Sequence, residues 1–524
     1  MVILRSPYPD VRVPDVPLHR FVLAQARALG DKPALIDGPS GRTLTYTQLA
    51  AGVEHVAAGL DRQGFKKGDV LGLFAPNCPE FALAFHGALS AGGVVTTVNS
   101  LSTVQDLQFQ LHNAGARFLV TVPAFLDRAV PAAGLAGIER VFVLGGAPES
   151  PGTTSFDALL ATAAPAPDVS IEPATDLAAL PYSSGTTGLP KGVMLTHRNL
   201  VANLVQTAAR HPVAGEDRIV AVLPFFHIYG LQVVLNLGLW HGATLVTMPR
   251  FELEAFLGLL QHWRITRAFV VPPIVLALAK HPVVDRYDLS SLTEMMSGAA
   301  PLDAALETAC GRRVGCEIVQ GYGLTEASPV THANPVGPGK PKPGTVGQLL
   351  PNTECRIVDA AGGGDLESGE DGELWIRGPQ VMRGYLNNPE ATAAMLDEDG
   401  WLHTGDIGHV DQDGYFTIVD RLKELIKYKG FQVAPAELEA VLCSHPAVAD
   451  AAVVPMADDE CGEVPKAFVV LRGEASPADL IAYVAERVAP YKKIRVVELI
   501  DAIPKSPSGK ILRRVLRDRE HAIH

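Results

Sequence analysis

Residues 182–192 read Tyr-Ser-Ser-Gly-Thr-Thr-Gly-Leu-Pro-Lys-Gly, placing two serines, two threonines, three glycines and one lysine in eleven positions. Hydroxyls and unshielded backbone N–H groups at this density form a concave donor surface for phosphate oxygens, and Lys191 adds a compact positive charge. A P-loop is excluded, because Lys191 follows Leu189-Pro190 and precedes Gly192 instead of standing between Gly and Ser/Thr. A flexible linker would have no use for the Pro-Lys-Gly ending. Asp411-Gln412-Asp413-Gly414 opens like a calcium loop, but its twelfth position is Leu422 where a bidentate Glu is needed. A tight turn is the reading there.

These residues need rigid elements to hold them. The apolar period over Leu44–Leu60 puts Leu49, Val53, Val56 and Leu60 on one helical face, with Thr47 placed to cap it. Strand-like runs follow at Asp69–Ala75, Val94–Val98, Phe118–Val122 and Val141–Gly145, separated by helical segments, one of them opened by the turn Pro76–Pro79. Short apolar strands alternating with helices predict a parallel sheet covered on both faces. Beyond Gly344 the texture turns to hairpins at Glu354–Gly364, Gly372–Gly378 and Gly414–Asp420, predicting an antiparallel, barrel-like part. The last hundred residues carry their own strands and a helix near Pro477–Pro490, enough for a small domain, with Asp420–Leu425 as the boundary.

Further landmarks follow in order: Leu223–Leu231 (LPFFHIYGL), Met296–Leu302, Gln320–Val330 (QGYGLTEASPV), Gly344–Pro351, Trp401–Gly408 (WLHTGDIG), Asp420–Glu439 and Pro504–Arg514 (PKSPSGKILRR). With residues 182–192 they resemble the ordered motif set of the adenylate-forming superfamily of acyl-CoA synthetases, adenylation domains and luciferases, and most closely that of the 4-coumarate:CoA ligases. The resemblance implies an α/β chain with a large N-terminal adenylation domain over 1–421 that takes ATP and the acid, and a small mobile α+β domain over 422–524 with its hinge near Lys423. It also implies the chemistry: a carboxylate attacks the α-phosphorus of ATP, giving an acyl-adenylate and pyrophosphate, and the thiol of coenzyme A then displaces AMP. Both steps call for fixed positive charge and orientation, not an enzyme nucleophile.

Carried onto this chain, the resemblance implies that Ser183, Ser184, Gly185, Thr186, Thr187 and Lys191 hold the β and γ phosphates, as the residues themselves suggest. Gln320, Gly321 and Tyr322 join the nucleotide site, with Thr325 at the α-phosphate and Glu326 holding Mg²⁺. Asp406 and Arg421 pair an acceptor carboxylate with a donor guanidinium, which suits a ribose diol. Lys510 resembles the lysine of the adenylation step. Lys427 and Gln432 would face the adenylate in the thioester step, with Lys429, Gly430 and Phe431 beside the thiol's path and Arg250 at the nucleotide end of coenzyme A. His227 would position the reactants without transferring a proton.

The acid pocket implied by the same likeness is lined by Tyr229, Val233, Gly298, Ala299, Gly323, Pro329 and Val330. None of these is charged, so an amino acid's ammonium would be buried unpaired. A flat aromatic acid of the hydroxycinnamate kind fits such a slot. The alternatives are another aryl acid, a fatty acid, or a carrier protein's phosphopantetheine as the thiol.

The net charge of −13 over 524 residues argues against nucleic acid as a partner, so anionic ligands must be held locally. Six cysteines without a CxxC pair read as free thiols, neither a disulfide framework nor a zinc site. The N-terminus carries prolines and charges where a signal peptide needs an apolar core, and Phe269–Ala279, broken by Pro272 and Pro273, is too short for the roughly 20 residues of a membrane span. The expectation is a soluble cytoplasmic ligase.

Overall fold

The computed structural model describes all residues except 1, 146–150, 163, 184–189, 337–340, 361, 430, 459, 507–508 and 522–524. Two nine-stranded sheets carry most of the chain. In the first, Val70–Phe74 lies parallel between Val94–Thr97 and Ala116–Thr121, and Arg140–Val143 continues the parallel run. The hairpin Tyr182–Ser183/Lys191–Thr196 joins this sheet antiparallel through Leu177–Ala179. In the second, Pro33–Asp37, Thr244–Thr247, Arg218–Ala221, Arg267–Val270, Glu294–Ser297 and Glu317–Gly323 run parallel in that spatial order. Val330–Ala333 then turns back antiparallel on Glu317–Gly323.

One apolar core joins the two sheets through the helices Tyr46–Arg62, Pro79–Ser90 and His197–Arg210. The predicted face Leu49, Val53, Val56 and Leu60 is buried in it. The cap is Thr45, not Thr47: its side chain accepts from the Gln48 N–H while the Gln48 side chain accepts from Thr45, a capping box that starts the helix two residues earlier. Pro79 opens its helix at a position where a missing N–H costs nothing.

A five-stranded antiparallel sheet follows, ordered Leu4–Arg5, Glu354–Val358, Gly372–Arg377, Leu402–Val410, Phe416–Arg421. Its tight turn at 411–414 is held by Asp411, whose Oδ1 accepts the N–H groups of Asp413 and Tyr415 while the carboxylate ion-pairs Lys342. From Ile426 onward the chain forms its own five-stranded sheet with the helices Pro435–Ser444 and Pro477–Ala485. The core of that part is built from residues of the last hundred alone, among them Ile426, Leu438, Leu442, Val469 and Leu480. Among the described residues no helix is long and apolar enough to cross a membrane.

Candidate functional site

Parallel strands expose the loops after their carboxyl ends as a natural crevice. In the second sheet those loops carry Leu223–His227 after Arg218–Ala221, Arg250 after Thr244–Thr247, Val271 after Arg267–Val270, Gly298 and Ala299 after Glu294–Ser297, and Leu324–Glu326 after Glu317–Gly323. Candidates far apart in the chain therefore share one edge.

The loop before His227 is clamped from the first sheet. Asn77 donates to the carbonyls of Ala221 and Leu223 at 2.8 Å and accepts from Phe225 N–H at 2.7 Å, while Thr97 donates to the Phe226 carbonyl at 2.7 Å. In sequence, Asn77 was legible only as part of a turn before a helix. His227 accepts the Tyr229 N–H through Nδ1, and burial together with the Lys510 ammonium lowers its pKa to about 4. A neutral imidazole at ordinary pH suits positioning.

Tyr229 begins a π-helical stretch, Tyr229–Asn236, that buries Val233. Its hydroxyl donates to the Met296 carbonyl at 3.1 Å, and Phe269 meets its ring edge-on at 6.5 Å. A side chain grown from Gly298 would reach Tyr229 ring atoms at 3.1 Å, so glycine lets the backbone approach the buried ring closely. Gly323 is more constrained: a Cβ there would lie 2.1 Å from the Pro329 carbonyl oxygen and 3.0 Å from Val330 Cα. The two pocket groups, Tyr229 with Gly298 and Gly323 with Pro329 and Val330, come together because Glu294–Ser297 and Glu317–Gly323 are neighbours in register. Ala299 holds a left-handed backbone, φ 70°, beside Gly298.

Ser183, Lys191 and Glu326 converge. Ser183 and Lys191 are paired across their hairpin, Ser183 Oγ donates to Glu326 Oε1 at 2.9 Å, and Tyr385 OH donates to the same oxygen at 2.8 Å. Lys191 Nζ sits 5.1 Å from the Tyr385 ring centre. Tyr385 was missed in the sequence, where nothing distinguishes it from a core tyrosine. Ser184, Gly185, Thr186, Thr187 and Gly430 lie outside the described residues.

Asp406 is buried, 5% exposed, and holds two partners: Tyr322 OH donates to Oδ2 at 2.6 Å and Arg421 Nε lies 3.2 Å from Oδ1. Gly321 and Thr325 flank this group on the same strand and the short turn after it. Gln320, at the end of the parallel run before this group, has internal side-chain partners. Its amide is consumed inside the protein, accepting from Leu302 N–H at 3.1 Å and donating to the Leu302 carbonyl at 3.0 Å and to Glu307 at 2.6 Å. The side chain braces the 302 loop.

Lys510 approaches from the C-terminal part of the chain. Burial and the neighbouring Arg421 lower its ammonium to about 8, against the opposing pull of Glu424 and Asp406. Its turn is anchored by Arg513, which is 9% exposed and donates to Glu424 at 2.7 Å, with Glu439 on its other face. Arg513→Met is expected to leave the largely buried Glu439 without its ion-pair partner and to take from Glu424 its hydrogen-bonded one, destabilising the protein by about 3–5 kcal/mol, read as a lower urea midpoint.

The remaining lysine candidates face solvent. Lys427 pairs directly with Gln432 across the hairpin Ile426–Tyr428/Phe431–Val433, so those two side chains share one face. Tyr428 and Phe431 share the other, where Phe431 stacks on Tyr491 at 4.7 Å and stays 54% exposed. Lys429 turns the hairpin with φ 47°. Lys423 and Arg250 are exposed.

The AMP-binding enzyme family matches residues 22–386, and the C-terminal domain of AMP-binding enzymes matches residues 437–510. The chain is 46% identical over 530 residues to 4-coumarate-CoA ligase 1 of Narcissus pseudonarcissus, covering 99% of this chain and 96% of that one. It is 47% identical over 527 residues to 4-coumarate–CoA ligase 5 of Oryza sativa subsp. japonica, covering 98% and 97%. Its structure matches the anthranilate CoA ligase AuaEII in complex with anthranoyl-AMP with a TM-score of 0.91 at 27% identity, covering 98% of each chain. Family match, full-length relatives and a C-terminal unit matched by its own family model agree: the chain belongs to the AMP-binding enzyme family, as an AMP-forming acid–thiol ligase that uses ATP and coenzyme A.

Proposed function

We propose that this ligase activates a hydroxycinnamate-type acid and transfers it to coenzyme A. The observation that carries the substrate class is the uncharged contact of the Tyr229 ring with Gly298, where a Cβ would come within 3.1 Å of ring atoms, at the carboxyl end of the second sheet. The names of the plant relatives at 46–47% identity support the same class. A smaller aryl acid is the second reading, favoured by the end-to-end likeness to the anthranilate ligase.

In this reading, residues 1–421 bind ATP and the acid, and 422–524 turn about Lys423 between the two steps. Lys510 places its charge where negative charge develops as the acid's carboxylate oxygen bonds to the α-phosphorus and pyrophosphate departs. Ser183, Ser184, Gly185, Thr186, Thr187 and Lys191 hold the departing phosphates, Thr325 the α-phosphate, and Gly321 and Tyr322 border the nucleotide. Asp406 and Arg421 hold the ribose. His227 fixes the approach to the acyl carbonyl. After rotation Lys427 and Gln432 face the adenylate, while Lys429, Gly430 and Phe431, with Arg250, guide the thiol, whose sulfur bonds to the acyl carbon as AMP leaves.

Glu326 fits a hard divalent cation, since one oxygen accepts Ser183 and Tyr385 and, among the described residues, no hydrogen bond falls on the other. Mg²⁺ bound there would neutralise phosphate charge.

The test is thioester formation with purified protein, ATP, Mg²⁺ and coenzyme A across 4-coumarate, caffeate, cinnamate, benzoate, anthranilate and octanoate, with pyrophosphate followed in parallel. The expected result is the highest kcat/KM on the hydroxycinnamates. A preference for benzoate or anthranilate would replace the substrate class with the second reading, and pyrophosphate without thioester would point to a carrier-bound thiol.

A further inference from the structure

The helix Pro272–Lys280 touches the C-terminal part of the chain at both ends. At its start, a Cβ added at Gly509 would come within 2.9 Å of Val271 and 3.5 Å of Pro273, so the turn that carries Lys510 rests directly on this end. At its other end, the Lys280 ammonium donates to the Cys443 carbonyl at 2.9 Å.

Cys443 lies in the last turn of the helix Pro435–Ser444, where carbonyls lack partners within their own helix and carry the negative end of its dipole. The neighbouring carbonyls are satisfied locally, Val441 by Ser444 Oγ and Leu442 by His445 N–H. Cys443 is instead served by a charged group from the large domain. That group is partly desolvated and lies near Arg472, and both lower its pKa. An ammonium so placed is held there by what it binds. Nine residues of helix separate the two contacts by about 13 Å, so together they resist rotation in a way that one contact could not.

We propose that Lys280 is a positioning residue for acyl-adenylate formation: by holding the Cys443 carbonyl it locks the small domain in the orientation that seats the Lys510 turn on Val271 and Pro273. This rests on the two-step reading above. Rotation for the thioester step must break the Lys280 contact, so the latch favours the first step alone.

The experiment compares the unmodified chain with Lys280→Ala and Lys280→Arg. Acid-dependent pyrophosphate release should fall roughly 10-fold in Lys280→Ala, the worth of one charge-assisted hydrogen bond, and recover in part in Lys280→Arg. Thiolysis of supplied 4-coumaroyl-AMP should stay unchanged or rise. A readout that needs no turnover is trypsin cleavage at Arg421 or Lys423, expected to be faster in Lys280→Ala at an unaltered melting midpoint. Unaltered hinge cleavage, or equal loss of both half-reactions with a lowered midpoint, would overturn the latch. If the unmodified protein adenylates no acid while Lys280→Ala is still cut faster, the functional reading fails and the latch stands.

Discussion

Lys510→Ala is expected to slow acyl-adenylate formation roughly 10²–10³-fold, the cost of one preorganised donor aimed at developing charge, while thiolysis of supplied acyl-adenylate keeps its rate. The residue is held by its turn: its N–H donates to Ser506 Oγ at 3.1 Å, Ser506 N–H returns to its carbonyl at 2.8 Å, and Arg513 fixes the chain just beyond. Burial and Arg421 bring the ammonium to about 8, so the charged form is present below that pH and lost above it. The kcat/KM of adenylation, which reports the free enzyme, should therefore decline as pH rises through about 8. Lys510→Arg should lose that alkaline limb even where its rate is low, because a guanidinium stays charged. Half-reaction kinetics over a pH series decide it, and equal loss of both halves would remove Lys510 from its assigned step.

Asp406→Ala should behave in the opposite way and impair both half-reactions. The buried carboxylate is the shared partner of Tyr322 and Arg421, so its removal leaves both donors without their acceptor and, on the proposed ribose contact, takes away an acceptor for the ribose. Hydrogen bonds involving charged groups are worth about 1.5–3 kcal/mol each, which predicts a rise of roughly 10²-fold in the KM for ATP. Because AMP carries the same ribose, affinity for the acyl-adenylate should fall in parallel. Isothermal titration with ATP and with a non-hydrolysable acyl-adenylate checks both. Weakened ATP binding with intact adenylate binding would contradict the ribose assignment.

The contrast between these residues reflects what was readable before folding. Strands such as Val70–Phe74 and Val94–Thr97, the buried face of Tyr46–Arg62 and the hairpins after Gly344 follow from local periodicity and turn chemistry. The cap failed by two positions because Thr45 and Thr47 both carry the right hydroxyl, and only Gln48 at the third position after Thr45 closes the box. The side-chain partners of Gln320 were not legible, because Glu307 and Leu302 are brought to it by the packing of a helix and a loop.

By itself, the sequence determined the hydroxyl- and glycine-rich makeup of residues 182–192, the ordered motifs, and the presence of a separate C-terminal unit, since these depend on residue type and spacing over short range. Tertiary structure alone decided that Tyr385 and Ser183 meet on Glu326, that Asn77 clamps the His227 loop from another sheet, and that Lys280 reaches Cys443. The reason is physical. Each of those hydrogen bonds joins groups more than 50 residues apart, and the side chains involved have many equivalent partners until the parallel register of the sheets removes all but one.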